Sequence, residues 1–432
     1  MKIIHIIPGT GDVFYCQNCM RDKELVMALR KQGHDVVLVP MYLPLFAEGE
    51  AFGAEQIPVF YGAVSVYLAQ VVPGFQLVAP WFRRWLDHPA MLKKVSRKAG
   101  TTSARGLEAM TLSVLRGEYG RQKQELDRLM DWLTSRERPD IIHLSSALLL
   151  GLAGRIRREL KVPVFCSLQD EDSWIDSMDP AAAGQAWALM SEKARDITAF
   201  TPVSQYYSAL MQSKLIGVPG DRFHVVPIGI STGSYGEAHW KPDRPVIGYL
   251  SRMSESMGLG TLVDAFVLIH HRGRVKSPML RITGGSTPED QPFLEAVKRR
   301  LAAVNLLSAV EFCDEYARSR RPGFLQSLTV MSVPAPCPEA LGMFMLEAMA
   351  SGVPVVQPRL GAFPEIIRAT GGGVCYEPGD VAGLADALED VLLDESKWRA
   401  LSRSGRDGVR ARFDAGVTAA IMAGLYKGAL EL

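Results

Sequence analysis

Neither sign of charge dominates this chain: 48 lysines and arginines meet 47 aspartates and glutamates, a formal net charge of +1. So close a balance removes any general attraction for nucleic acid and any general repulsion of acidic substrates. Cysteine is sparse, with six residues at 16, 19, 166, 313, 337 and 375. They are too few and too scattered for a disulfide framework, so a reducing cytoplasm is expected. No apolar run is long enough to cross a membrane. The longest charge-free stretch, Gln56 to Phe82, is broken by Pro73-Gly74 before the ~20 residues that a spanning helix needs. An export signal is also missing. Met1-Lys2 runs directly into Ile3-Ile4-His5-Ile6-Ile7, which stops at Pro8-Gly9 and reads as a buried strand. Internal repeats and low-complexity segments are absent as well.

What is present is ordinary globular material, 47% apolar and 22% charged, in a chain of 432 residues that is too long for one core. Strand and helix signals alternate. The strand Lys2 to Ile7 is followed by a Gly9-Thr10-Gly11 turn, then a helix with Leu25, Ala28 and Leu29 on one face, ending at Gly33. Val36-Val37-Leu38-Val39 is a continuous apolar strand, as expected where helices cover both faces of a sheet. Ile141-Ile142 and Val162 to Phe165 continue the series with a helix from Leu148 to Leu160 between them, and Val225-Val226-Pro227 closes it. A second series begins at Pro245: strands at Val246 to Leu250, Met279 to Thr283, Ala309 to Phe312, Leu328 to Val333, Val353 to Val356 and Val374-Cys375, with helices between them. Ser231 to Arg244 reads as the linker. The expectation is α/β: two doubly wound domains facing a central cleft. Residues 45–135 break the rhythm and read as a helical insertion that builds a lid or a binding wall. Within it, Trp81, Phe82 and Trp85 lie beside Arg83 and Arg84 and ahead of Lys93, Lys94, Arg97 and Lys98. That pattern suits an anionic lipid surface, and also a solvated lid.

The chemistry concentrates in Pro338-Glu339-Ala340-Leu341-Gly342-Met343-Phe344-Met345-Leu346-Glu347, followed by Gly352-Val353-Pro354-Val355-Val356. On one unbroken helix the two glutamates would be about 80° out of phase. The preceding strand and Pro338 place Glu339 in a loop instead, with a helix starting near Gly342. Both carboxylates then face the carboxyl edge of the sheet, and the free N–H groups of Gly342, Met343 and Phe344 offer an anion seat. Two such glutamates alone read as solvated surface charges; the flanking strand and Arg252 weigh against that. A glycosidase acid and nucleophile would also use two carboxylates, but hydrolysis gives no reason for two nucleotide-type halves.

This segment resembles the E-x7-E motif of family 4 glycosyltransferases, retaining enzymes of the GT-B fold. The likeness extends through Gly361-Ala362-Phe363-Pro364-Glu365, Gly371-Gly372-Gly373, Tyr249-Leu250-Ser251-Arg252 and Gly33-His34-Asp35-Val36. It also takes in Pro139-Asp140-Ile141-Ile142-His143 and Phe200-Thr201-Pro202-Val203-Ser204. The resemblance implies an acceptor-side domain over 1–236, a donor domain over 245–410, and a terminal helix, 411–432, packing back on the first. It implies a hexose moved with retention from a nucleotide-sugar donor to a glycan, lipid-linked or small-molecule acceptor, without a metal or other cofactor, in the cytoplasm or at the inner face of the membrane.

By position, Glu339 would sit at the donor sugar and Arg252 at the diphosphate, a task suited to a planar, always-charged fork. Glu347 would hold the ribose. Where the family has lysine before a glycine, this chain has Met257. Gly11, Asp12, Gln169 and Asp172 are acceptor-side candidates, with Gln169 and Ser145 standing where the family often has histidine. Other readings stay open. The chain is alternatively a catalytically weak GT-B protein that binds a sugar nucleotide or a partner, or a GT-B epimerase or phosphorylase. Asp170-Glu171-Asp172 spells the D-x-D metal seat of a different fold, although a structural or positioning role is the commoner use. Cys16-x-x-Cys19 lacks redox flanks and a second pair for zinc, which leaves a structural or acceptor-side loop role.

Overall fold

The protein's structure, a computed structural model, describes residues 1–8, 15, 17–42, 60, 106–135, 138–241 and 243–431. The short apolar runs become two parallel sheets in two compact units. One unit takes in Met1–Gly11, Asn18–Pro227 and Ala419–Leu432, and the other Asp12–Gln17 and Ile228–Thr418. The division falls at Pro227, ahead of the stretch expected as a linker.

In the first unit β1 (Lys2–Ile7), β2 (Asp35–Pro40), β3 (Ile141–Leu144), β4 (Val164–Leu168) and β5 (Ala199–Pro202) lie in the order β2-β1-β3-β4-β5. Val225-Val226-Pro227 is not a sixth strand. It follows the β5 edge, where His224 donates to Phe200 O and Val226 to Pro202 O. The helix expected from Leu148 begins as a 3-10 turn, Ala147–Leu152, before the α-helix Ala153–Leu160. Of the expected insertion, residues 106–135 are described and contain the helices Glu108–Leu115 and Lys123–Ser135. The aromatic and basic cluster from Trp81 to Lys98 lies outside the described residues, as do Gly11, Asp12, Cys16 and the Cys19 side chain. The last helix, Ala415–Leu430, groups from Ala419 onward with this unit.

The second unit orders β6 (Val246–Leu250), β7 (Met279–Thr283), β8 (Val310–Phe312), β9 (Val330–Met331), β10 (Val355–Pro358) and β11 (Gly373–Tyr376) as β11-β10-β9-β6-β7-β8. Chain direction across the sheet therefore reverses between β6 and β9, which pair in parallel. Open α/β sheets bind ligands outside the carboxyl ends of the strands at such a switch point.

Candidate functional site

Arg252 follows β6 and Glu339 follows β9, so the switch point brings the two catalytic candidates onto neighbouring loops. The β9 strand is shorter than its apolar run, Leu328 to Val333, suggests, and the chain has left the sheet well before Glu339. Between the two loops stands Tyr249, the penultimate residue of β6. Its hydroxyl donates towards the carbonyls of Arg252 at 2.8 Å and Met257 at 3.3 Å. Burial first, and then the nearby Glu339 charge, push the Tyr249 phenol well above its ordinary range. Met257 ends the 3-10 turn Glu255–Met257. Gly258 follows at φ +74°, where a Cβ would meet Pro334 O at 1.9 Å. Only glycine lets this turn press against the β9 loop.

Arg252 carries its own carboxylate. Nε reaches Asp290 Oδ2 at 2.8 Å, and Nη2 reaches Asp290 Oδ1 at 2.9 Å and Thr287 Oγ1 at 3.0 Å. Burial opposes the charge on Asp290, but hydrogen bonds from Arg252 and Thr287, together with the Arg252 charge, outweigh it and hold the carboxyl below its ordinary range. Thr287 and Asp290 also form a capping box ahead of the helix Gln291–Ala303. The pattern Thr287-Pro288-Glu289-Asp290 was a readable signal for this anchor.

The helix Met343–Ala350 starts where expected, after Gly342, and Glu347 is its one charged residue. Glu347 is wholly buried, so its carboxylate depends on partners within the protein. Oε1 accepts from the Tyr235 hydroxyl at 2.6 Å and from Arg321 Nη2 at 3.1 Å, and Oε2 accepts from the Tyr15 hydroxyl at 2.6 Å. Burial works against the Arg321 charge, but Glu347 beside it keeps the guanidinium protonated beyond its usual range. The expected anion seat is partly filled: the Met343 N–H donates to Gln17 Oε1 at 2.5 Å. Tyr15, Gln17, Tyr235 and Arg321 were not singled out from sequence, and no local spacing marks them.

Arg281, a basic residue on β7, could stand in for the lysine that Met257 replaces, but it is committed elsewhere. It pairs with Glu311 and Glu315 and lines a cavity of about 590 Å³ with Lys241, Arg244, Val246 and Met279, at the amino ends of β6 and β7. Arg359 is exposed and paired with Glu377.

In the first unit, Gln169 and Ser145, at the ends of β4 and β3, are bridged by Arg21, which donates to Gln169 Oε1 at 3.1 Å and to Ser145 O at 2.5 Å. Arg21 also pairs with Asp22, and Asp22 Oδ1 lies 3.3 Å from His5 Nε2. His5 stacks on His143 at 4.6 Å between ring centroids, and His143 bonds Tyr426 and Ser167. Burial, followed by the charges of His5 and Arg21, holds the His143 imidazole well below its usual pKa. His143 thus acts as neutral polar packing inside the sheet.

Asp170 takes a left-handed conformation, φ 60°. Burial and then the neighbouring Asp172 push its carboxyl up to about 6. Glu171 is buried under hydrogen bonds from Ser146, Ala147, Gln169 and Tyr207, and burial lifts it to about 7. The Asp172 carboxylate accepts from the Tyr207 hydroxyl at 2.9 Å. The D-x-D triplet is therefore largely engaged with protein groups.

Comparison with known proteins fits this architecture. Residues 23–229 match the glycosyl transferase 4-like domain, and residues 244–394 match the glycosyl transferases group 1 family. The chain belongs to the glycosyltransferases. Among its relatives is the GDP-mannose-dependent alpha-(1-6)-phosphatidylinositol monomannoside mannosyltransferase of Mycobacterium tuberculosis, 29% identical over 49% of this chain and 54% of the relative. The same enzyme of Mycolicibacterium smegmatis is 30% identical over 50% and 54%. The glycosyltransferase chain thus spans about half the length of the curated relatives it matches. Two solved structures share its fold from end to end. Sucrose-phosphate synthase from Thermosynechococcus elongatus has a TM-score of 0.72 at 16% identity, covering 99% of both chains. Anabaena HepE, solved with UDP, has a TM-score of 0.69 at 14% identity, covering 99% of this chain and 100% of that one. The fold is GT-B, built from two parallel-sheet α/β domains.

Proposed function

We propose that this glycosyltransferase moves a hexose from a nucleotide-sugar donor to a sugar or lipid-linked acceptor, with retention at the anomeric carbon and without a metal. The observation that carries the reading is the switch point of the second unit, where the parallel neighbours β6 and β9 deliver Arg252 and Glu339 to one edge. Arg252, with its plane fixed by Asp290 and Thr287, hydrogen-bonds the diphosphate. Glu347 uses Oε2 for a ribose hydroxyl, while Tyr235 and Arg321 hold Oε1. Glu339 faces the sugar and stabilises the positive charge that develops at the anomeric carbon. The departing phosphate oxygen takes the acceptor's proton, so the protein supplies position and electrostatics. The names of the mannosyltransferase relatives support a lipid-linked acceptor and hence peripheral contact with the inner face of a membrane. Among the described residues no helix is long and apolar enough to cross one.

A second reading, a sugar-nucleotide-binding protein of weak turnover, is favoured by one feature. The diphosphate's arginine is already paired with Asp290, and Met257 adds no second charge. Purified protein incubated with GDP-mannose or UDP-glucose separates the two. Acceptor-dependent release of nucleoside diphosphate, an α-linked product by NMR and full activity in EDTA support the first. Tight donor binding without release supports the second. Loss of activity in EDTA with rescue by manganese revives a metal at Asp170 and Asp172.

A further inference from the structure

We propose that Tyr15 and Gln17 hold the protein in a self-occupied state, sitting on the two groups that a nucleoside diphosphate would use, so that donor binding must displace them. The inference rests on the donor-site reading above. Tyr15 and Gln17 belong to the short segment Asp12–Gln17, which groups with the second unit. The Tyr15 hydroxyl donates to Glu347 Oε2 at 2.6 Å, as a ribose hydroxyl would. Two residues on, Gln17 Oε1 accepts from the first N–H of the Met343–Ala350 helix at 2.5 Å, as a phosphate oxygen would. The Tyr15 backbone N–H donates to Gly284 O at 2.8 Å, and the Arg321 guanidinium lies 5.3 Å from the Tyr15 ring centroid. Tyr15 and Gln17 thereby occupy both donor-type contacts at once.

The two oxygens of Glu347 differ in what binds them. Oε1 accepts from Tyr235 and Arg321, which orient the carboxylate, whereas Oε2 accepts from the Tyr15 hydroxyl. Glu347 is wholly buried, so a ribose reaches Oε2 by exchanging with the phenol. Such exchange lowers the apparent affinity for donor by the fraction of molecules in the occupied state. It also keeps the buried carboxylate satisfied when no donor is bound, which an empty site would not.

The test is calorimetric titration of GDP, UDP and 2′,3′-dideoxy-GDP into the full-length protein and its Tyr15→Phe, Gln17→Ala and Tyr235→Phe variants. Tyr15→Phe removes the competing hydroxyl and is expected to bind GDP or UDP about tenfold tighter, or more. That gain disappears with the dideoxy analogue, which has no hydroxyl for Oε2. Gln17→Ala frees the Met343 N–H and is expected to tighten GDP several-fold. It carries the test if circular dichroism finds Tyr15→Phe unfolded. Tyr235→Phe weakens binding, because it loosens Glu347. Wild-type binding that is unchanged or weaker in Tyr15→Phe overturns the self-occupied state while leaving the donor site standing. A gain that persists with the dideoxy analogue overturns it too. If Glu347→Ala and Arg252→Ala bind GDP and UDP as wild type does, or if no variant binds either nucleotide, the donor-site reading itself fails.

Discussion

Replacing Arg321 by methionine tests whether Glu347 is held by charge or by shape. The guanidinium is 6% exposed and the carboxylate 0%, 3.1 Å apart, so solvent screens the pair little. Removing one partner of a buried ion pair costs about 3–5 kcal/mol, because the other charge stays behind uncompensated. Two phenols would still donate to Glu347, which places the expected loss near the lower figure, about 3 kcal/mol. For a unit of this size each kcal/mol lowers the melting temperature by about 2–4 °C, so the Arg321→Met transition should fall by roughly 6–12 °C. Glu347→Gln in the same background removes the stranded charge, and the double variant should recover about half of the loss, a coupling that a double-mutant cycle reads directly. Differential scanning calorimetry at pH 7 is the assay, with each unit's transition followed separately. A fall of less than about 2 °C in Arg321→Met, or a double variant that melts at the sum of the two single losses, would refute the charge argument.

Three further outcomes are expected. Glu347→Ala should weaken donor affinity while Glu339→Ala mainly lowers turnover, since ribose contacts persist throughout the reaction and charge at the sugar develops only in the transition state; single-turnover kinetics beside titration separates them. Met257→Lys should tighten nucleoside diphosphate binding by ~10-fold or more, the range for a hydrogen bond to a charged group; unchanged affinity would mean that another residue fills the lysine's place if Arg252→Ala abolishes binding, and that no phosphate lies beside this turn if it does not. Asp170→Asn addresses pH. The wild-type carboxyl is lifted from 3.8 to about 6, so its protonated form contributes stability below pH ~4 that is lost as pH rises through about 6. The variant should match wild type at pH 4 and exceed it at pH 8, on the order of 1–2 kcal/mol once solvent at this partly exposed group is allowed for, as melts at the two pH values would show.

The sheets were legible because strands covered on both faces must be apolar throughout, as Val36 to Val39 and Val246 to Leu250 are; the run Val353 to Val356 marked its strand two residues early, since β10 is Val355–Pro358. The placement of Glu339 in a loop and Glu347 on a helix followed from Pro338 and Gly342, which are local signals. The partners of Glu347 were not legible. Tyr15 lies 332 residues away and Tyr235 112 residues away, and a hydrogen bond between distant residues leaves no periodicity in the chain. The same holds for the His5 and His143 stack, whose imidazoles sit in runs that read as plain apolar strand. Asp290 differs: its capping pattern three residues after Thr287 was local, but its partnership with Arg252 required the fold.

Glu339 is held through its backbone, and Gly361 is the residue that permits it. Ala362 N–H donates to Glu339 O at 3.0 Å, so the loop after β10 fixes the glutamate's peptide. Gly361 adopts φ +56°, and a Cβ there would meet Glu339 O at 2.5 Å and Glu339 N at 2.6 Å. Both are backbone atoms, so no side-chain rotation relieves the clash. Gly361→Ala therefore combines a left-handed penalty of about 1–2 kcal/mol with a forced shift of the Glu339 loop. Arg252, Glu347 and the Met343 N–H lie on other elements and keep their geometry. The expected result is a protein that binds GDP or UDP as wild type does but transfers sugar at least about 100-fold more slowly, since a displacement near 1 Å at a reacting centre costs about that much. Equal loss of binding and rate would place Gly361 in the fold of the donor site as a whole. Wild-type turnover in a folded Gly361→Ala protein would remove Glu339 from the reaction.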